Sequence, residues 1–115
     1  MEAKLTIRLG SESDLESLVR LAAAFRDHLG QSTPWHADLR DSIAMLLQDS
    51  ETEFLLAYDV AGASLGYVQC RYRYSAWTSA LAAEIEDVFV VREARRRGVG
   101  RRLGVFILVA SLASC

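Results

Sequence analysis

One stretch restricts the fold more than any other: "EDVFVVREARRRGVGRRLGVFILVASLASC", residues 86–115. An apolar, β-prone run passes into a loop of arginines and glycines, and then into an almost wholly apolar segment with the length of a helix. The first turn of a helix leaves backbone N–H groups unpaired, and those groups favour an anion. Glycines let a phosphate approach them without a side chain in the way. Arg95-x-x-Gly98-x-Gly100 stands where the strand gives way to the helix. The same spacing also suits a tight turn followed by a solvated helix start.

Charge separates these readings from a general affinity for polyanions. The net charge is −2, yet Arg92, Arg95, Arg96, Arg97, Arg101 and Arg102 share an eleven-residue window with a single acid, Glu93. That window is +5 and the remainder of the chain −7. One loop is prepared for a concentrated anion, and the rest of the surface is not. A nucleic-acid module is disfavoured as well, because the arginines lack interleaved aromatics. Two phosphate motifs fail on spacing. No Gly-x-x-x-x-Gly-Lys is present, and Gly98, Gly100 and Gly104 do not make Gly-x-Gly-x-x-Gly.

The chain has 115 residues, 51% hydrophobic and 24% charged, and suits one globular domain over 1–115. Cys70 and Cys115 have neither the number nor the spacing of a disulfide framework or a metal site, which suits a reducing cytoplasm. The N-terminus lacks a signal-peptide pattern, and the apolar run Val105 to Cys115 is too short to span a bilayer. No metal, membrane or nucleic-acid partner is expected. His28 and His36 lack partner ligands at metal spacing.

"KLTIRLG" alternates as a strand with Leu5, Ile7 and Leu9 on one face. Ser11-x-x-Asp14 approximates a capping box, and Leu15, Leu18, Ala22, Phe25 and Leu29 follow at helical spacing before Gly30. A second helix is expected with Thr33 as cap and Pro34 at its first position, its apolar stripe being Leu39, Ile43, Leu46 and Leu47. "EFLLAYD" and "LGYVQCRYRYS" read as a hairpin, "WTSALAA" as a loop, "EIEDVFVV" as a fourth strand, and a final helix runs from about Gly98. The predicted order is β-α-α-β-β-β-α, an α/β chain with a mixed sheet.

"EDVFVVREARRRGVGRRL" resembles the acyl-CoA-binding motif of the GNAT superfamily of N-acetyltransferases, Arg/Gln-x-x-Gly-x-Gly/Ala after a strand ending in a valine, here Val90. The element order resembles the first part of that fold, and the usual C-terminal strands and helix would be lacking. The resemblance implies acetyl-CoA as co-substrate, its pyrophosphate on the backbone of Arg96, Arg97, Gly98, Val99, Gly100 and Arg101 after Arg95, and its pantetheine arm along Val88 and Val90. It implies direct acetyl transfer to a primary amine of a small molecule, with a glutamate as general base. Glu86 and Glu84 are the candidates, two apart and on one face of a regular strand, with Ile85 and Asp87 pointing away; a bulge would disturb this alternation. Glu86 is preferred, from a Glu-Asp-aromatic-type run that resembles the diamine acetyltransferase branch. Both also fit the solvent side of an amphipathic strand. The family's α1–α2 region, here about Leu29 to Asp38, would shape the acceptor pocket, with Trp35 and Trp77 as lining. The alternative function is a non-catalytic acyl-CoA-binding or regulatory module. An apolar final helix and an open strand edge predict a homodimer or higher oligomer.

Overall fold

The computed structural model describes residues 5–95 and 98–103. Strands β1 (Thr6–Leu9), β2 (Thr52–Tyr58), β3 (Ser64–Ser75) and β4 (Ala80–Val90) form one antiparallel sheet in the order β1-β2-β3-β4. Helices α1 (Leu15–His28) and α2 (His36–Gln48) connect β1 to β2. Residues 99–103 are helical, the described start of α3. The expected apolar helix from Val105 to Cys115, and Arg96 and Arg97, lie outside the described residues.

The sheet is covered on both sides. On one face Leu18, Val19 and Leu21 of α1 and Ile43 of α2 pack on Phe54, Leu56, Tyr67 and Phe89. On the other, Ala94, Val99 and Leu103 pack on Leu55, Ala57, Leu65, Val68 and Cys70. The unbroken apolar run of β2 reflects this position, since Phe54 through Ala57 alternate between two buried faces. Each large side chain so buried contributes about 1.5–3 kcal/mol. Leu5 and Ile7 join the core as expected, but Leu9 and Leu29, at the ends of their elements, are half exposed.

Asp14 ties the first elements together. It is 3% exposed, and its carboxylate accepts from the Ser11 N–H at 3.0 Å, the Tyr58 hydroxyl at 2.8 Å and Arg8 Nη2 at 2.5 Å. The Ser11-x-x-Asp14 pattern therefore closes a single 3₁₀ turn, Glu12–Asp14, ahead of α1. At the other end of α1 the Gly30 N–H bonds to the Asp27 carbonyl and the Gln31 N–H to that of Arg26, with Gly30 at φ +73°. This is the left-handed cap that glycine supplies without a Cβ penalty.

Three sequence expectations are corrected. Helix α2 starts at His36, not at Pro34, because Trp35 is extended and its carbonyl accepts the first helical bond, from Leu39. The Pro34 carbonyl is instead taken by Arg26 Nη1 at 2.9 Å. Strand β4 begins at Ala80, so "ALAA" of the expected loop pairs with β3 after a turn at Ala76–Ser79, with Ser79 at φ 51°. Backbone pairing with Tyr72 to Ser75 carries this segment, and Ala83 adds a contact with the core. Finally, β4 does not alternate regularly. Ile85 opposes Cys70 and Asp87 opposes Gln69, which leaves Glu86 as the extra residue of a β-bulge.

Burial by itself would lift the Asp14 carboxyl, but the Ser11 N–H, the Tyr58 hydroxyl and Arg8 outweigh it and hold it below the usual carboxylate value. A lowered carboxyl stabilises the fold above its unfolded value, near 3.9, and that stability is lost as pH falls through the folded value. Asp14→Ala is expected to cost about 2 kcal/mol at pH 7 in denaturant unfolding. Its stability should fall less than that of the wild type between pH 5 and pH 2.

Candidate functional site

The site is built on β4 and on the turn at its C-terminal end. Antiparallel strands direct successive backbone groups alternately toward and away from a neighbour. The Val91 N–H bonds to the Leu65 carbonyl, so the N–H and C=O groups of Val88 and Val90 face away from β3. Among the described residues no strand pairs with that side of β4. Val88, and Val90 through its N–H, thus present an edge that no strand pairs, the outward Val90 carbonyl being taken by Arg95.

Beyond Val91 the chain makes one 3₁₀ turn, Arg92–Ala94, whose Ala94 is fully buried against Val99 and Leu103. Gly98 has φ +77°, a conformation that favours glycine, and its carbonyl accepts the first α3 bond, from the Arg102 N–H at 3.0 Å. The N–H groups of Val99, Gly100 and Arg101 precede that bond, in the first turn, and have no helical partner among the described residues. They border an open cavity of about 350 Å³ lined by Val90, Ala94, Arg95, Gly98, Val99, Gly100 and Arg101. Among the described residues a Cβ at Gly100 would meet Val90, at 3.8 Å, and its absence leaves room beside the amides. Such a turn, with exposed Arg101 beside it, fits the phosphates of a nucleotide cofactor. Arg95 is differently engaged: its Nε donates to the Val90 carbonyl at 2.9 Å. A larger cavity of about 680 Å³, with Glu53, Tyr72 and Leu81 in its wall, includes no residue of the loop or of the bulge.

The two glutamates are not equivalent. Residues directly opposed on neighbouring strands share a face. Glu84 opposes Arg71 and Asp87 opposes Gln69, so Glu84 and Asp87 lie on the α1–α2 face together with Tyr67 and Phe89. The expected pairing of Glu84 with Glu86 on one face, with Asp87 turned away, is corrected by the bulge. Glu84 is exposed and sits 3.4 Å from Arg73 Nε. Glu86 is exposed at the bulge itself.

Sequence reasoning passed over Asp87. It is half-buried, and Tyr67, only 3% exposed, donates its hydroxyl to Asp87 Oδ2 at 3.4 Å. Burial raises the Asp87 carboxyl above its ordinary value, the tyrosine hydroxyl lowers it, and the neighbouring Glu86 raises it again. The Tyr67 hydroxyl is pushed up by burial and by Asp87. Asp87 stands two residues before Phe89 and so shares its inward face by simple alternation, whereas the bulge is what brings Glu84 onto that face as well. Phe25, His28 and Phe89 adjoin on this face, with rings 5.1 Å and 6.1 Å apart from that of Phe89. Trp35, 68% exposed, stands in the α1–α2 connection, whereas Trp77 lies in the β3–β4 turn, at the opposite end of β4 from Val90. Among the described residues no three His, Cys, Asp or Glu side chains converge to hold a metal ion, and no helix is long and apolar enough to cross a membrane.

The model of the acetyltransferase (GNAT) family matches residues 16–104, from α1 through the glycine turn. The chain belongs to this family. Its fold is that of GNAT acyltransferases, and acetyl transfer from acetyl-CoA to amines is the family's chemistry. Among solved structures it is similar to a ribosomal-protein-alanine N-acetyltransferase from Brucella melitensis, with 22% identity and a TM-score of 0.82 over 96% of this chain and 74% of that one. A GNAT family acetyltransferase from Staphylococcus aureus gives 22% and 0.81, over 96% and 81%. An aminoglycoside 6'-N-acetyltransferase from Acinetobacter baumannii gives 21% and 0.76, over 96% and 73%. At these identities the likeness is one of fold. No curated protein matches the sequence.

A raised carboxyl stabilises the GNAT fold most below its unfolded value, and that stability is lost as pH rises through the folded value. Asp87→Asn should therefore be more stable than the wild type at pH 8, with the gain gone by pH 3. Thermal unfolding across that range reads it.

Proposed function

We propose that this GNAT chain transfers an acetyl group from acetyl-CoA to a primary amine of a small, cationic molecule, with Glu86 accepting the amine proton. The observation that carries the reading is the continuity of two features. The free backbone edge at Val88 and Val90 leads directly to the amides of Val99, Gly100 and Arg101, and Val90 borders both. A strand edge suits the amide groups of a pantetheine arm, and the turn suits a pyrophosphate.

Acetyl-CoA supplies the thioester. The chain supplies position and a proton acceptor. A protonated amine has no lone pair, so a base must take one proton before nitrogen attacks the thioester carbon; the C–N bond forms, the C–S bond breaks, and CoA leaves as a thiolate that takes up the second proton lost by nitrogen. Exposure at the bulge, two residues from Val88, supports assigning that step to Glu86, and the ion pair with Arg73 makes Glu84 the less available carboxylate. Glu86 and Asp87, beside a Glu84 that Arg73 offsets, leave this part of β4 negative, which favours a cationic acceptor. The aminoglycoside acetyltransferases among the similar structures act on molecules of that kind.

The reading extends to setting and assembly. Cys70 is a buried free thiol raised to about 11 by burial and by Glu53, suited to a reducing cytoplasm. The half-exposed row Leu81, Ile85 and Val88 on β4 favours a homo-oligomer.

Calorimetric titration with acetyl-CoA should show saturable binding, and no binding at millimolar ligand would sink the donor reading. Glu86→Gln is expected to lower the transfer rate by about 10²-fold or more while the affinity for acetyl-CoA stays within twofold. Unchanged transfer would remove Glu86 from the mechanism and leave Glu84 and Asp87. Binding without transfer to any amine in the wild type would point to a non-catalytic acyl-CoA-binding module.

A further inference from the structure

Arg95 opens the glycine turn, and its side chain spans more than the turn. Its Nε donates to the carbonyl of Val90, one of the outward groups of the free edge, at 2.9 Å. Its guanidinium carbon lies 5.6 Å from the centre of the Phe89 ring. Phe89 is 6% exposed and stacks on Phe25 at 5.1 Å and 21°, with the His28 ring tilted at 6.1 Å. Phe25 and His28 belong to the last turn of α1, from which the connection to α2 departs. One side chain thus touches the end of β4 and, through one ring, the end of α1.

The chemistry of the group suits this use. A guanidinium is planar, so it can donate from its edge while its face covers an aromatic ring; an ammonium is a compact point charge without that fork. We propose that Arg95 is a positioning residue that fastens the anion-binding turn to the end of β4 and to Phe89, and so couples the donor side of the sheet to the end of α1 on the acceptor side. Its charge is not primarily a phosphate ligand; that part belongs to the amides of Val99 to Arg101 and to Arg101. The ligand half of the inference rests on the donor reading above. The fastening itself does not.

Two experiments on the full chain separate these. The first uses no ligand: amide hydrogen exchange by NMR in the wild type, Arg95→Lys, Arg95→Gln and Arg101→Gln. Both Arg95 variants should speed exchange at Arg102, whose N–H closes the first turn of α3, by about three- to tenfold, and shift the Phe89 ring protons. Arg101→Gln should do neither. Exchange and ring shifts unchanged in the Arg95 variants would overturn the proposal. So would a loss of protection that extends to Leu55 and Val68, since Arg95 would then serve the whole fold. The second experiment is titration with acetyl-CoA at low and high salt. A positioning role predicts that Lys weakens binding as much as Gln does, by the same factor at both salt concentrations. A directly ligating charge predicts that Lys keeps most of the affinity and that Gln lessens its salt dependence, which would overturn the assignment. A wild type that fails to bind acetyl-CoA would refute the donor reading and leave the exchange experiment to decide Arg95.

Discussion

Gly66 carries β3 past β4 so closely that a Cβ there would stand 2.7 Å from the Phe89 carbonyl oxygen. No side chain fits, and the strands meet at a fixed register, Gly66 against Val90. Much of the site depends on that one contact. With the register set, Phe89 turns into the layer beneath α1, Val88 and Val90 turn their backbone groups outward, and the loop leaves the sheet at a defined point. A shift by one residue would exchange these roles along the upper half of β4.

The same strand separates two kinds of charge. Its end carries a turn with exposed amides and arginines, and its middle carries three carboxylates. From Glu86 to Val90 is about 13 Å along an extended chain. An anionic molecule and a cationic one can therefore approach neighbouring parts of one strand without competing for the same field. The bulge is what admits a carboxylate here without disturbing the apolar faces above it, because the extra residue absorbs the change of phase.

How far the sequence reaches can be judged from particular residues. The glycine turn was legible because its requirements are local: Gly98 needs positive φ, and arginines around it signal an anion. The alternation of Leu5 and Ile7, the helical spacing of Leu18 and Phe25, and the hairpin of β2 with β3 were legible for the same reason. The shared face of Glu84 and Asp87 was not, since it depends on a bulge set by pairing with Gln69 and Cys70, and the Tyr67 partner of Asp87 comes from another strand, far away in sequence. Arg95 read as the first residue of a cofactor-binding motif; its engagement with the Val90 carbonyl requires the turn to fold back over the strand end. The start of α2 was misplaced because Pro34, a good first residue for a helix, has its carbonyl taken by Arg26.

That last contact has a consequence for how a guest molecule would be selected. The connection between α1 and α2 is fastened at both ends, by the glycine cap after His28 and by Arg26 on Pro34. A rim held in this way is already in shape before anything arrives. Little conformational freedom remains to be lost on contact, so a well-matched guest keeps more of its interaction energy as affinity. For the acceptor site proposed above, discrimination would then fall to shape at this rim as much as to charge beneath it.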